Sequence, residues 1–478
     1  MHLDPRRLEI SARLDRSQRS ALGQFLTPSS VADFMAGLFP EPAGAVRLLD
    51  AGAGIGSLTA AFIARWGQRA TMETTAYEID PAMRAGLAET LALCGGASRI
   101  VETDFIEDAV NALQFGTGAR YTHAILNPPY KKINSASRHR LLLRQVGIET
   151  VNLYSAFVAL ALALLAPGGH LVVIIPRSFC NGPYYKPFRK FLLARTAIRH
   201  MHLFDARDKA FRDDAVLQEN IILLLERGGA QGEVTISTST DDSFADYVAH
   251  AHPFSRIVLT NDPEHFIHVP AGAAQEASDL PDAFNHFLAD LGVEVSTGPV
   301  VDFRAKSDLR DMPEPGCVPL LYPAHFSGAA IEWPKTGSKK PNALRLNSVT
   351  QKSLFPNGRY VVVRRFSAKE EKRRLVAAMV SPELFDTEYL GFENHLNVFH
   401  QAKQGLPEDL TRGLVAYLNS SMVDAYFRRF SGHTQVNATD LRRMRYPSGD
   451  TLKKLGRWAA KHGAVSQEKL DQKILSLA

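Results

Sequence analysis

A doubly wound α/β fold, built on a mostly parallel sheet of seven strands and followed by a separate mixed α/β domain, is what this 478-residue sequence predicts. Three observations predict it. Between residues 46 and about 227, short apolar runs alternate with amphipathic segments, the pattern of βαβ units with helices on both faces of a sheet. The first of those runs enters a glycine-rich turn, Gly52 to Gly56, with a helix expected from Ser57 to about Arg65. From about residue 291 the texture changes to short β-like runs, including Tyr360–Phe366 and Asn397–His400.

The elements follow in chain order. The first twenty residues are charged and helix-permitting, and read as an exposed leading helix without the apolar core of an export signal. Strands are expected near 46–50, 73–79, 99–103, 121–126, 170–175, 199–204 and 216–226. The last two leave no room for a long helix, so they should form an antiparallel hairpin at one edge. Leu153 to Ala166 is an apolar stretch of fourteen residues stopped by Pro167-Gly-Gly, too short to cross a bilayer and expected as a core helix. Leu410 to Phe427 has apolar residues at helical spacing. The boundaries expected are a first domain over 1–240, a bridge over 241–290 and a second domain over 291–478.

Composition is that of an ordinary soluble globular protein, 45% apolar and 22% charged. The cysteines, Cys94, Cys180 and Cys317, are odd in number and form no CxxC pair, which suits a reducing cytoplasm. Two HxH pairs, at His200/His202 and His250/His252, have no third ligand nearby in sequence and read as satisfied core or surface histidines, so no metal is expected. The net charge of +5 says little, but its distribution says more. Residues 241–300 carry ten acids and one base, 335–374 twelve Lys or Arg and two Glu, and 428–461 nine bases and two acids. Such blocks make a field suited to a polyanion.

Chemistry concentrates where strands should end, the place where such sheets bind ligands. Asn127-Pro-Pro-Tyr130 closes the run Tyr121–Leu126, and its two prolines make a stiff loop. That loop presents the Asn127 amide and the Pro128 carbonyl as two acceptors beside the flat face of Tyr130, a set that suits a planar amine. Upstream, Asp50 leads into Gly52, Gly54 and Gly56, which permit positive φ and close approach of a ligand, although an ordinary strand-to-helix turn explains the glycines alone. The spacing is neither that of pyrophosphate binders nor that of a P-loop. Glu78 ends the next strand, where an acid can hold ribose hydroxyls. Asp104 and Phe105 close the third, where carboxylate and ring would bracket a purine.

In this order, with Gly23-Gln-Phe-Leu-Thr-Pro28 ahead of them, these residues resemble the gamma class of S-adenosylmethionine-dependent amino-methyltransferases of bacterial restriction–modification systems, the Taq-type adenine-N6 enzymes. The resemblance continues through Asn152–Phe157, Pro167–Pro176, Ser178–Tyr184 and Ala210-Phe211 and covers roughly residues 20–230. It implies a Rossmann-like methyltransferase domain with S-adenosylmethionine as its cofactor and a C-terminal target-recognition domain for double-stranded DNA. It implies that Thr27, Asp50, Gly52, Gly54, Gly56, Glu78, Asp104, Phe105 and Asn127 hold the cofactor, with Thr27 over its methionine end. Asn127, Pro128 and Tyr130 would take an adenine flipped out of the duplex, and Phe211 would cover its other face. A helix-capping role explains Thr27 or Ser29 equally well. A cognate restriction endonuclease acting separately is the partner that such a system implies.

The loop after the motif holds Lys131, Lys132, Arg138, Arg140 and Arg144 and no acid between Pro128 and Ile148, a composition suited to phosphates. In the second domain Arg364, Arg365, Arg373 and Arg374 are candidates for phosphate or guanine contacts, and Lys335, Lys339 and Lys340 fit phosphate. Tyr184 and Tyr185 could face DNA, but as lone aromatics near a glycine they read better as loop packing. Protein-glutamine methylation uses the same motif, but the basic second domain and the loop at 131–144 speak against it. RNA methylation shares the phosphate chemistry and stays open. Cytosine-N4 enzymes more often carry Ser in place of Asn127, and a catalytically dead recognition subunit would not need every pocket residue.

Overall fold

The structure is a computed structural model and describes residues 27–478 apart from 118–119, 205–218, 261, 271–279, 368–370, 432–433 and 464. The expected leading helix and Phe211 lie outside the described residues. The chain divides into two compact units, 1–273 and 274–478.

The first unit holds β1 (Val46–Ala51), β2 (Met72–Tyr77), β3 (Ala97–Val101), β4 (Tyr121–Leu126), β5 (Leu165–Pro176), β6 (Thr196–Phe204), β7 (Asn220–Arg227), β8 (Val234–Ser239) and β9 (Val248–His252). They form one sheet in the order β3-β2-β1-β4-β5-β7-β6-β8-β9. All seven expected strands are present, and β1 to β5 run parallel. Among the described residues, however, the sheet has nine strands. The expected bridge was misread: β8 pairs parallel with β6, and β9 pairs antiparallel with β8. The β6–β7 hairpin is therefore interior, not at an edge. The short polar strands β8 and β9 lack the continuous apolar runs of the centre, so their alternation was lost among loop residues.

Helix α1 (Ser29–Gly37) precedes β1, and α2 (Ser57–Trp66), α3 (Pro81–Cys94), α4 (Phe105–Phe115), α5 (Arg138–Gln145), α6 (Leu153–Leu164) and α7 (Lys186–Arg195) lie between successive strands. Val31 and Met35 of α1 and Leu58, Phe62 and Trp66 of α2 bury one face of the sheet. Phe105, Ile106 and Val110 of α4, the apolar length of α6, and Phe188 and Leu192 of α7 bury the other. Starts are set by local chemistry. Asp80 caps α3 ahead of Pro81, Asp104 caps α4 through the Ile106 and Glu107 N–H groups, and Ser137 caps α5. No helix among the described residues is long and apolar enough to cross a membrane.

The second unit carries two sheets. One orders Glu294–Thr297, Leu396–His400, Tyr360–Arg364, Ala377–Val380, Ala330–Ile331 and Phe326–Ser327; the other orders Leu309–Arg310, Ala343–Arg345, Cys317–Leu321, Tyr389–Phe392 and Leu354–Pro356. Among the described residues, five helices follow from Glu408 onward. The helix expected over Leu410–Phe427 is two, Glu408–Leu418 and Ser421–Phe430, because Ser420 leaves the helical conformation and its hydroxyl caps the second through the Val423 N–H.

Candidate active site

The chain leaves β1 outward to β2 and β3, then returns to β4 on the other side of β1. This reversal opens a crevice at the carboxyl ends of β1 and β4, and the glycine turn and Asn127 both lie there. Gly52, Gly54 and Gly56 all have positive φ, at 78°, 58° and 86°, which only glycine adopts without strain. A Cβ built on Gly52 would stand 3.7 Å from Phe157 and 3.9 Å from Pro129, so the turn and the proline corner close on one another. Thr27, Gly52, Ala53, Gly54, Ile55, Ser57, Leu58 and Asn127 line one small pocket.

Two carboxylates support the turn. Glu78, 5% exposed, accepts from the Gly54 N–H at 2.9 Å through one oxygen and from the Asp80 N–H at 2.8 Å through the other. Burial raises its carboxyl above the ordinary value, and these N–H groups oppose that only in part. Asp50 is fully buried. Its Oδ2 accepts from the Thr59 hydroxyl at 2.7 Å, while its Oδ1 has no hydrogen-bond partner. Burial, with Glu78 nearby, pushes the Asp50 carboxyl up to about 7.

Asn127 is held from two sides. Its amide nitrogen donates to Thr27 Oγ1 at 3.0 Å and its amide oxygen accepts from the Tyr130 hydroxyl at 3.0 Å. The same hydroxyl lies 3.2 Å from the Ile174 carbonyl on β5, and the Tyr130 ring meets Tyr154 edge-on at 6.2 Å. The Asn127 side chain is thereby fixed before any ligand arrives. An sp² amide oxygen carries two lone pairs.

Other expected residues are placed differently. Asp104 is the cap of α4, and its second oxygen pairs with His139 of α5 at 3.1 Å. Burial alone would raise the Asp104 carboxyl, but His139 and the Glu107 and Ile106 N–H groups hold it below the usual range. His139, which sequence reasoning missed, is raised by the same hydrogen bond. Phe105 is 2% exposed, its ring set between Tyr77 and Phe157 at 5.0 Å from each, so its face is committed to the core and does not bracket a purine. Tyr184 is 75% exposed and so is not the loop packing expected, whereas Tyr185 stacks on Tyr154 and its hydroxyl takes a hydrogen bond from Asn152.

The basic loop is partly neutralised. Arg138 pairs with Glu107 at 2.9 Å, and Arg140 and Arg144 both pair with Glu149, one residue beyond the acid-free window. Lys131 and Lys132 are exposed. In the second unit, Lys339 is exposed, Lys335 bonds the Ala324 carbonyl and Lys340 pairs with Asp302. Arg364 lies 3.7 Å from Glu371, Arg365 donates to the Asn394 carbonyl and Arg373 to that of Asn419. Arg374 was misassigned. It is fully buried, bonded to Ser367 and Ser431 with its guanidinium over the Phe427 ring, and no nucleic acid can reach it. The paired histidines are also internal: His200 and His202 share the Ser237 hydroxyl, and burial pulls them down to about 4 and about 3.

With this geometry in view, comparison with known proteins decides the family. The chain is 52% identical to the type II methyltransferase M.BsuBI of Bacillus subtilis, over 99% of this chain and 97% of the relative. The chain belongs to the type II methyltransferases. This type II methyltransferase is also 43% identical to M.PstI of Providencia stuartii, over 99% of this chain and 96% of that protein. A family model described as the Eco57I restriction-modification methylase matches residues 97–211. The structure of the type IIL restriction-modification enzyme MmeI in complex with DNA shares the fold at 11% identity and a TM-score of 0.53, covering 94% of this chain and 70% of that one. Membership makes the protein an S-adenosylmethionine-dependent DNA methyltransferase of a restriction–modification system. The residues present fit that cofactor. The glycine turn and Asn127 line one pocket, the buried Asp50 Oδ1 at the end of the preceding strand lacks a partner, and Glu78 keeps acceptor capacity for ribose hydroxyls.

Proposed function

We propose that this methyltransferase modifies the exocyclic N6 of an adenine everted from duplex DNA, at a site read by residues 274–478, as the modification enzyme beside a separate restriction endonuclease. One observation carries the reading: the Asn127 side chain is fixed by Thr27 and Tyr130 at the rim of the glycine-turn pocket.

The adenine amine is a weak nucleophile because its lone pair is delocalised into the ring. Asn127 Oδ1 and the Pro128 carbonyl would accept its two hydrogens, drawing nitrogen toward tetrahedral geometry. Orientation then does most of the work. Bound S-adenosylmethionine supplies an electrophilic methyl group on a cationic sulfur. Asp50 supplies buried negative charge close by, Glu78 takes ribose hydroxyls, and Asp104, oriented by His139, takes the purine amine. Tyr130 stacks on the everted base, and Phe211 is proposed for the opposite face. Everting a base costs a few kcal/mol, which stacking of roughly 1–3 kcal/mol per aromatic largely offsets. Lys131 and Lys132, together with Lys339, are the phosphate contacts that exposure favours, and Arg365 is half-buried.

Purified protein given labelled donor and duplex DNA is expected to yield N6-methyladenine on nucleoside analysis. Asn127→Ala should abolish transfer while leaving DNA binding intact. Label in cytosine, RNA or protein in place of duplex adenine would overturn the proposal.

A further inference from the structure

At one end of the strand pair Tyr360–Arg364 and Leu396–His400, the second unit holds an arrangement that packing alone does not require. Glu393 is fully buried, and both its oxygens are given to His395: one accepts from ring Nδ1 at 2.6 Å, the other from the backbone N–H at 2.9 Å. A carboxylate buried this way is costly unless its partner is held in return. The His395 side chain is nevertheless 44% exposed. A carboxylate only accepts, so the proton sits on Nδ1 and Nε2 faces outward, without a partner among the described residues. A histidine kept for packing would be expected to be buried, with both nitrogens engaged.

Beside it lies Phe366, 42% exposed, with its ring 5.0 Å from that of His395 and tilted by 41°. The Arg365 guanidinium stands 5.7 Å from the Phe366 ring and donates to the Asn394 carbonyl at 3.1 Å. The backbone beneath these side chains is pinned on both sides. The Arg365 N–H donates to His395 at 2.8 Å, its carbonyl accepts from Val436 at 2.7 Å, and the Ser367 N–H donates to Thr434 at 3.0 Å. A flat ring, an outward imidazole nitrogen and a guanidinium therefore share one rigid ledge. It sits within the 335–374 stretch of twelve bases and two acids, or, for His395, directly across a strand pair from it.

We propose that Phe366 and His395 form a base-contacting ledge for duplex DNA: the ring lies against a base or its sugar, Nε2 hydrogen-bonds a base edge, and Glu393 is the positioning residue that aims it. The ledge rests on the reading of duplex DNA as substrate, and the Arg365 guanidinium beside the ring suits a polyanion. Nε2, aimed outward by the Nδ1–Glu393 hydrogen bond, is placed to hydrogen-bond a base edge in the groove.

The test begins by sequencing plasmid DNA methylated by the wild-type enzyme, which defines its modified motif. Methylation rates are then measured on duplexes carrying that motif and each single-base-pair variant. Phe366→Leu and His395→Asn, the latter keeping a donor for Glu393, are expected to narrow discrimination at one base pair by about tenfold, a typical worth of one base contact. Glu393→Gln should move the same base pair in the same direction. Melting temperature and S-adenosylmethionine affinity should stay at wild-type values in both surface variants. Unchanged discrimination in Phe366→Leu and His395→Asn overturns the ledge alone. A wild-type enzyme that leaves duplex DNA unmodified overturns the ledge together with the proposed function.

Discussion

Asp50→Asn separates what a buried carboxylate does for stability from what it does for the cofactor. In the folded protein the Asp50 carboxyl is moved from 3.8 to about 7, chiefly by burial. At about 1.4 kcal/mol for each pH unit, that displacement amounts to about 4 kcal/mol between the protonated and ionised forms. The sign follows from linkage. Between pH 4 and pH 7 the folded state keeps a proton that the unfolded chain has released, so stability falls as pH rises through that window and stays lowered above it. Asparagine cannot ionise, so Asp50→Asn escapes the loss. The stability of the variant relative to wild type should therefore grow by about 3 kcal/mol from pH 4.5 to pH 8, the rest of the displacement lying below pH 4.5. Urea denaturation of cofactor-free protein at several pH values measures it. A difference that stays constant within about 1 kcal/mol across that range would refute the reasoning. The same substitution should raise the cofactor dissociation constant, since a sulfonium compound gains from the ionised form. Binding near pH 6.5 should release a proton in wild type and none in the variant, as calorimetry in two buffers would report.

Glu78→Ala frees the Gly54 and Asp80 N–H groups and should raise the cofactor dissociation constant at least tenfold; an unchanged constant in a titration rejects the ribose role. Tyr130→Phe removes the hydroxyl that holds Asn127 and should lower kcat by about tenfold with cofactor affinity unchanged, whereas equal losses in both would place Tyr130 against the donor. Arg374→Ala should destabilise the second unit by about 3 kcal/mol in urea unfolding, because the hydroxyls of Ser367 and Ser431 lose a buried partner; a loss of DNA affinity with stability intact would restore it as a contact residue. Gly56→Ala combines positive φ with a Cβ 2.9 Å from Leu87, while Gly116→Ala has positive φ and open space, so the first should lower the melting temperature clearly more. Equal shifts would mean that the overlap relaxes at no cost.

Much of the catalytic unit was legible because its signals are local. A run such as Tyr121–Leu126 ended by two prolines can only be a strand and a corner, and glycines at 52, 54 and 56 can only be a turn. What was misread depends on partners far away in sequence. Arg138, Arg140 and Arg144 looked unpaired because Glu107 and Glu149 lie outside the window, and Arg374 looked exposed because Ser431 and Phe427 are more than fifty residues on. His139 carried no local signal at all, since only the packing of α5 against α4 brings it to Asp104. β8 and β9 were lost for a related reason: polar strands near a sheet edge resemble loops until a neighbour supplies their hydrogen bonds.

By itself, then, the order of residues determined the parallel α/β core, the glycine turn, the proline corner and the family resemblance, because each rests on backbone geometry that neighbouring residues dictate. Tertiary structure alone decided which charges stay available, which ring joins the core and which nitrogen of His395 faces outward. Those properties depend on burial and on hydrogen bonds, and both are set by residues that meet only after the chain has folded.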